Sequence, residues 1–205
     1  MKENMCCNDK YLENLNAVNG LYDFLNVTFF ESALSKPVIT IQRARKENVL
    51  GTFTNDVWVS GDERFSEINL SADYLDREPI DKAATVLHEM VHDYARHNGI
   101  KDHSRGGAYH NKQFKMLAEK YGMTVEQSEK GGWNVTRLTE DTKAKVLPAL
   151  AEMPALRRSE ISGKGKSKSS STRKYVCFGC GTSVRATKDV NIMCADCDVI
   201  MSLEE

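Results

Sequence analysis

The stretch Leu87–His110, "LHEMVHDYARHNGIKDHSRGGAYH", holds all five histidines of the chain: His88, His92, His97, His103 and His110. It begins inside a segment of helical periodicity. From about Pro79 to Asn98 the residues Ile80, Ala84, Leu87, Val91 and Tyr94 share one face. Pro79 suits a first helical turn and Gly99 a C-terminal cap. On that helix His88-Glu89-Met90-Val91-His92 fits the pattern HExxH. Residues four apart stand one turn above each other, so two imidazole nitrogens can reach a single ion. Glu89 lies about 100° round the helix from His88, near enough to serve a water on that ion without ligating it. His88 and His92 flank the Leu87/Val91 stripe, which predicts that they floor a cleft at the border of the core.

A catalytic zinc commonly takes three protein ligands and leaves a fourth position for water. His97, nine residues beyond His88, points about 180° away and is expected to be a surface histidine. The metzincin spacing needs a histidine where Asn98 stands and a glycine where Ala95 stands, so that pattern is excluded. Glu119 would be the thermolysin-like glutamate, but it falls nine residues past His110 and should face opposite to it. His103 belongs to the polar run "GIKDHSRGG", read as a mobile connection, whereas His110 directly precedes a helix with a clear apolar face. Ligands must be held to within about 0.5 Å, which favours His110 over His103 without closing the choice.

Working outward, Tyr11, Leu15, Val18, Tyr22, Leu25 and Phe29 recur at spacings of three and four, predicting an amphipathic first helix over about 11–30. "VITIQR" after Pro37 is rich in β-branched residues, "LGTFTNDVWVS" reads as two strands joined at Asn55-Asp56, and "SEINLS" as a further strand, together a small antiparallel sheet. A third helix is expected to start at Asn111, bury Phe114, Leu117, Ala118 and Tyr121, and stop at Gly122. "GGWNVTRL" reads as a late strand. Tyr94, Arg105 and Tyr109 are conceivable hydrogen-bond donors to a reaction's oxyanion, though a packing or surface role suits each of them.

The 205 residues suffice for one well-buried core and a small appendage. With 28 Lys+Arg against 29 Asp+Glu, bulk charge argues for neither nucleic acid nor membrane. The distribution is uneven, however: from Arg157 to Lys174 seven basic residues face one acid, Glu160. No apolar run resembles a secretory signal or a membrane span, so a cytoplasmic protein without a membrane partner is expected. Cysteines there stay mostly reduced and cluster as metal ligands. Cys177-x2-Cys180 and Cys194-x2-Cys197 make two knuckles that can close a tetrahedral zinc site, with Gly181 and Asp198 at positions where positive φ is common. Four protein ligands leave no open position, so this zinc would be structural. Cys6 and Cys7 have no partner pair. A ribbon behind a basic linker can bind nucleic acid through its phosphates, or the linker charges can simply keep it extended.

The HExxH helix, the downstream "YHNKQF" with its histidine 18 residues past His92, the preceding "INLS" and the four-cysteine ribbon together resemble the SprT-like metallopeptidase family. The resemblance covers roughly Leu15 to Leu138. It implies that His88, His92 and His110 bind a catalytic Zn2+ and that Glu89 is catalytic; the knuckle spacing of Cys177, Cys180, Cys194 and Cys197 adds a second, structural zinc. Family members often read His-Gly at the third ligand, where this chain has His110-Asn111; asparagine is a sound N-cap and does not threaten the site.

The expected fold is thus α+β: a zincin-like domain of N-terminal helix, small antiparallel sheet, HExxH helix and third-ligand helix, plus the zinc ribbon. The expected boundaries are a tail at 1–10, the SprT-like domain at 11–150, a basic flexible linker at 151–174 and the ribbon at 175–205. The resemblance implies a zinc metalloendopeptidase acting on DNA-associated or DNA-crosslinked proteins, with single-stranded or crosslinked DNA as a partner through linker and ribbon. The alternative is a non-catalytic, zinc-stabilised nucleic-acid-binding or transcription-related module. A third possibility is a general metallopeptidase whose ribbon serves protein contacts.

Overall fold

Helix α1 spans Cys7–Phe30, and its inward face is the predicted one except at Tyr11, which is 36% exposed. Val18, Tyr22 and Leu25 are fully buried, while Leu15 and Phe29 pack at the margin. These positions belong to a computed structural model that describes residues 6–105, 109–129, 131–150, 156–159 and 172–204. Past α1 the chain reverses through Glu31 and Ser32, both in the left-handed region. The Asn26 side chain staples the reversal, donating to the Leu34 carbonyl at 2.8 Å and accepting from the Leu34 N–H at 3.2 Å.

Three strands follow: β1 (Val38–Gln42), β2 (Gly51–Ser60) and β3 (Glu63–Ser71). They form a sheet in the order β1-β3-β2. β2 and β3 are antiparallel, as expected. β1 instead joins β3 in parallel, with Ile39 opposite Ile68 and Ile41 opposite Leu70, so the sheet is mixed. All four of those side chains are buried, and a strand's register follows from which of its faces is buried.

The Asn55-Asp56 turn is corrected. β2 runs through it as one strand, with a register shift between Thr54 and Trp58. The positive φ of 50° at Asp56 makes a bulge rather than a reversal. The reversal falls at Gly61, whose φ is 60°.

Helix α2 (Pro79–His97) carries the broadest buried face. Ala83, Val86, Leu87, Met90, Val91 and Ala95 have no exposed surface, and Ile80, Ala84 and Tyr94 are partly covered. Beyond it come two short paired strands, β4 (His103–Ser104) and β5 (Tyr109–His110). Helix α3 (Lys112–Lys120) starts where predicted, because Asn111 Oδ1 accepts from the N–H groups of Gln113 and Phe114. It ends before Gly122, whose φ of 86° only glycine adopts readily. The late strand is β7 (Val135–Leu138), paired antiparallel with an unpredicted β6 (Met123–Glu126). A short α4 (Glu140–Val146), capped by Thr139, closes the core with fully buried Val146.

The chain divides into two compact units, Met1–Ser159 and Glu160–Glu205. In the second, β8 (Arg173–Val176), β9 (Ser183–Ala186) and β12 (Ser202–Glu204) make an antiparallel sheet. β10 (Met193–Cys194) pairs with β11 (Val199–Ile200) beside it. Most of the expected linker, 151–155 and 160–171, lies outside the described residues, as do Lys164, Lys166 and Lys168. Within 156–159 the Arg158 N–H donates to the Ala72 carbonyl at 2.8 Å and Arg157 pairs with Asp76 at 3.2 Å. Arg173 and Lys174 already belong to β8. No helix among the described residues is long and apolar enough to cross a membrane.

Candidate functional site

One helix and one short strand bring three imidazoles to a point. His88 and His92 rise from α2, His110 comes from β5, and the Nε2 atom of His92 lies 3.2 Å from that of His88 and 3.1 Å from that of His110. Phe114, the fully buried first apolar residue of α3, floors the cluster. Its ring stacks on His110 at 4.1 Å and on His92 at 4.7 Å. The helix that starts at Asn111 therefore fixes the third histidine from below as well as from its flank.

Each histidine is held from behind by a different partner. His88 Nδ1 lies 2.9 Å from the Thr136 hydroxyl on β7. His92 Nδ1 lies 2.5 Å from Asp102 Oδ2. His110 is fixed by its backbone: its N–H donates to Asn134 Oδ1 at 3.4 Å, and its carbonyl accepts from the Trp133 N–H at 3.1 Å. Burial, and then the neighbouring histidines, push His88 well below its usual range and His110 down to about 4. Burial also lowers His92, against the opposing pull of Asp102. All three rings are then neutral at pH 7, with lone pairs free to meet a cation.

Glu89 is buried beside them, and burial pushes its carboxyl up to about 8 despite a hydrogen bond from the Phe53 backbone. β2 passes so close here that a Cβ on Gly51 would stand 2.6 Å from Thr85 Cγ2 and 3.2 Å from Glu89 Oε1. His88, Glu89, His92 and His110 share a cavity of about 600 Å³ with Gly51–Asn55 of β2 and with His103.

The other sequence candidates separate clearly. His97 is half exposed and turns back to Asp93, one turn earlier on α2. Glu119 is exposed and pairs with Lys115. Tyr94 packs in an aromatic cluster with Phe30 and Tyr121, away from the cavity. Arg105 and Tyr109 line a separate cavity of about 410 Å³ that shares His110.

The reading of His103 as part of a mobile connection is corrected. It sits in β4 directly opposite His110, its ring stacks on His92 at 4.7 Å, and its Nδ1 lies 2.7 Å from Asp102 Oδ1. Two-residue strands carry no periodicity that a sequence pattern could reveal. Sequence reasoning also missed Asp102, Thr136 and Gly51, and read Phe114 only as a core residue of the third helix. The one available signal was Asn111, whose side chain caps α3 and also donates to the Lys101 carbonyl at 2.6 Å.

The donor set fits a zinc ion. A tetrahedral ion with Zn–N bonds of about 2.0–2.1 Å places neighbouring nitrogens roughly 3.3 Å apart, and the two Nε2 separations given above are close to that. His88, His92 and His110 form one group able to hold a metal, and Cys177, Cys180, Cys194 and Cys197 form another, their atoms within 4.8 Å of one another. In the second group Gly181 and Asp198 have positive φ of 76° and 52°, as expected at knuckle ends. All four cysteines, like Cys6 and Cys7, are free of disulfides.

No curated protein and no solved structure matches the chain. The sequence profile of the SprT-like family matches residues 18–139, more than half the length and the whole of the histidine site, and the chain belongs to that family.

Proposed function

We propose that this chain is a zinc-dependent metalloendopeptidase acting on proteins associated with or crosslinked to DNA, with an SprT-like domain over 11–150, a basic linker and a zinc ribbon over 175–205. The observation that carries the peptidase reading is the convergence of His88, His92 and His110 in one cavity with Glu89 of the same helix. His88, His92 and His110 would hold the catalytic Zn2+ and Cys177, Cys180, Cys194 and Cys197 the structural one. A zinc held by the histidines would supply a Lewis acid for a scissile carbonyl and an acidified water. In its ionised form, which burial disfavours, Glu89 would take a proton from the attacking water and pass it to the departing amine nitrogen. Burial keeps Glu89 away from bulk water, and the Phe53 N–H orients it. The exposed edge of β2, outermost in the sheet, borders the cavity and offers backbone groups to an extended peptide.

The basic run supports a DNA partner, since lysines and arginines release counterions from phosphates. The cysteine-rich unit supports a cytoplasmic setting, where thiols stay reduced. One observation favours a second reading, in which the ribbon docks proteins: Phe178 is 81% exposed, and Met193 and Ile200, exposed at 61% and 70%, face each other across β10 and β11.

The test is cleavage of a DNA-binding protein with and without single-stranded DNA. Wild type should cleave, and faster with DNA. Glu89→Gln should lose about 10²–10⁴-fold in rate while keeping both zinc ions. Absence of cleavage in wild type under both conditions would favour the non-catalytic nucleic-acid-binding module. Cleavage indifferent to DNA would favour the ribbon as a protein-docking element.

A further inference from the structure

We propose that Asp102 is a positioning residue of the histidine centre: one carboxylate oxygen fixes the ring of His92, the other fixes His103, and His92 is thereby held with Nε2 towards the ion. The inference rests on the zinc reading above and adds to it the residue that makes the second ligand rigid.

Asp102 follows the end of α2 and is largely covered, with 15% of its side chain exposed. Its Oδ2 lies 2.5 Å from His92 Nδ1 and its Oδ1 lies 2.7 Å from His103 Nδ1. An ionised carboxylate only accepts hydrogen bonds, so both histidines carry their proton on Nδ1. For His92 that leaves the Nε2 lone pair facing His88 and His110. The same residue reaches the third ligand through its backbone, since the Asp102 carbonyl accepts from the Asn111 N–H at 2.9 Å, next to His110. Asp102 thus joins the ligand on α2 to the ligand on β5.

The three ligands are unequal in this respect. His88 meets a neutral hydroxyl and His110 is held by its main chain, whereas His92 meets a carboxylate. Charge-assisted hydrogen bonds are roughly twice as strong as neutral ones, and a carboxylate behind a metal-bound imidazole both orients it and raises its basicity. The contribution of Asp102 to metal affinity should therefore exceed that of Thr136.

His92, Asp102 and His103 also form a triplet of metal-ligating residue types. The geometry argues against an ion between them. The 2.5 Å from His92 Nδ1 to Asp102 Oδ2 suits a hydrogen bond, while an ion bound to both atoms at about 2.0–2.1 Å would hold them roughly 3 Å or more apart.

The experiment measures zinc affinity of the full chain by competition with a chelator, for wild type, Asp102→Asn, Thr136→Val, His103→Ala and His110→Ala. Asp102→Asn should still fill both sites at saturating zinc but bind the weaker ion 10–100-fold less tightly, with a smaller loss in Thr136→Val. The thermal midpoint of the metal-free histidine domain reports whether Asp102→Asn keeps the fold; if it falls, Asp102→Glu, which retains the charge but displaces it, carries the same expectation. Affinity of Asp102→Asn within twofold of wild type would overturn the proposal. So would loss of one zinc at saturation in both Asp102→Asn and His103→Ala with two retained in His110→Ala, because the ion would then sit in the other triplet. Wild type holding a single zinc would instead defeat the zinc reading itself.

Discussion

Around the four cysteines only Tyr175 and Met201 are buried together with Cys177 and Cys194 among the described residues, whereas the three histidines stand on a unit in which 23 buried apolar residues pack into one core. Fully burying a side chain such as Val, Leu or Phe contributes about 1.5–3 kcal/mol before entropy is counted. The larger unit can therefore fold on its own core and offer a site to a metal. The smaller one cannot, because a few dozen residues with two buried apolar side chains beyond the sulfurs do not offset the cost of ordering the chain. The cysteine site also has all four positions supplied by protein, while the histidine site supplies three and opens onto a cavity. On the zinc reading proposed above, the metal would make the fold in one unit, whereas in the other the fold makes the place for the metal.

Removing metal altogether should break this comparison most visibly. With a strong chelator the ribbon residues from Arg173 to Glu204 should lose their dispersed amide signals in NMR spectra while those of the larger unit persist. Structural zinc in small domains is worth about 10–16 kcal/mol, far beyond what this ribbon can replace. A ribbon that stays dispersed without metal would show that its core suffices.

A second test bears on how closely the fold supports the histidine site. Gly51→Ala places a methyl group 2.6 Å from Thr85 Cγ2 and against Glu89, an overpacking that should cost about 1–3 kcal/mol. Thermal unfolding of the larger unit reports it, and Thr85→Ser, which removes the opposing methyl, should recover part of the loss. The smallest effect expected is that of Asn111→Ala, about 1 kcal/mol for the lost N-cap. Because Asn111 also holds the Lys101 carbonyl, that variant should bind zinc less tightly than a mere cap loss implies, which chelator competition would detect.

Sequence reading succeeded where a residue's type dictates local geometry. Pro79 opened α2, Asn111 capped α3, Gly122 ended it, and Gly181 and Asp198 took the positive φ that knuckle ends require. HExxH was legible because a helix converts a spacing of four into proximity. It failed where distant segments decide. The parallel pairing of β1 with β3 depends on which faces are buried, and Asn55-Asp56, a good turn in isolation, became a bulge because β2 continues to pair with β3 on both sides of it. Asp102 and Thr136 were invisible for the same reason: they lie 10 and 48 residues from the histidines they hold.

The most direct test of the account is a zinc count on the purified full chain and its histidine variants. Two zinc ions per chain are predicted for wild type, two for His97→Ala and His103→Ala, and one for His110→Ala. One zinc in wild type, or two in His110→Ala, would contradict the assignment of the three histidines to a metal.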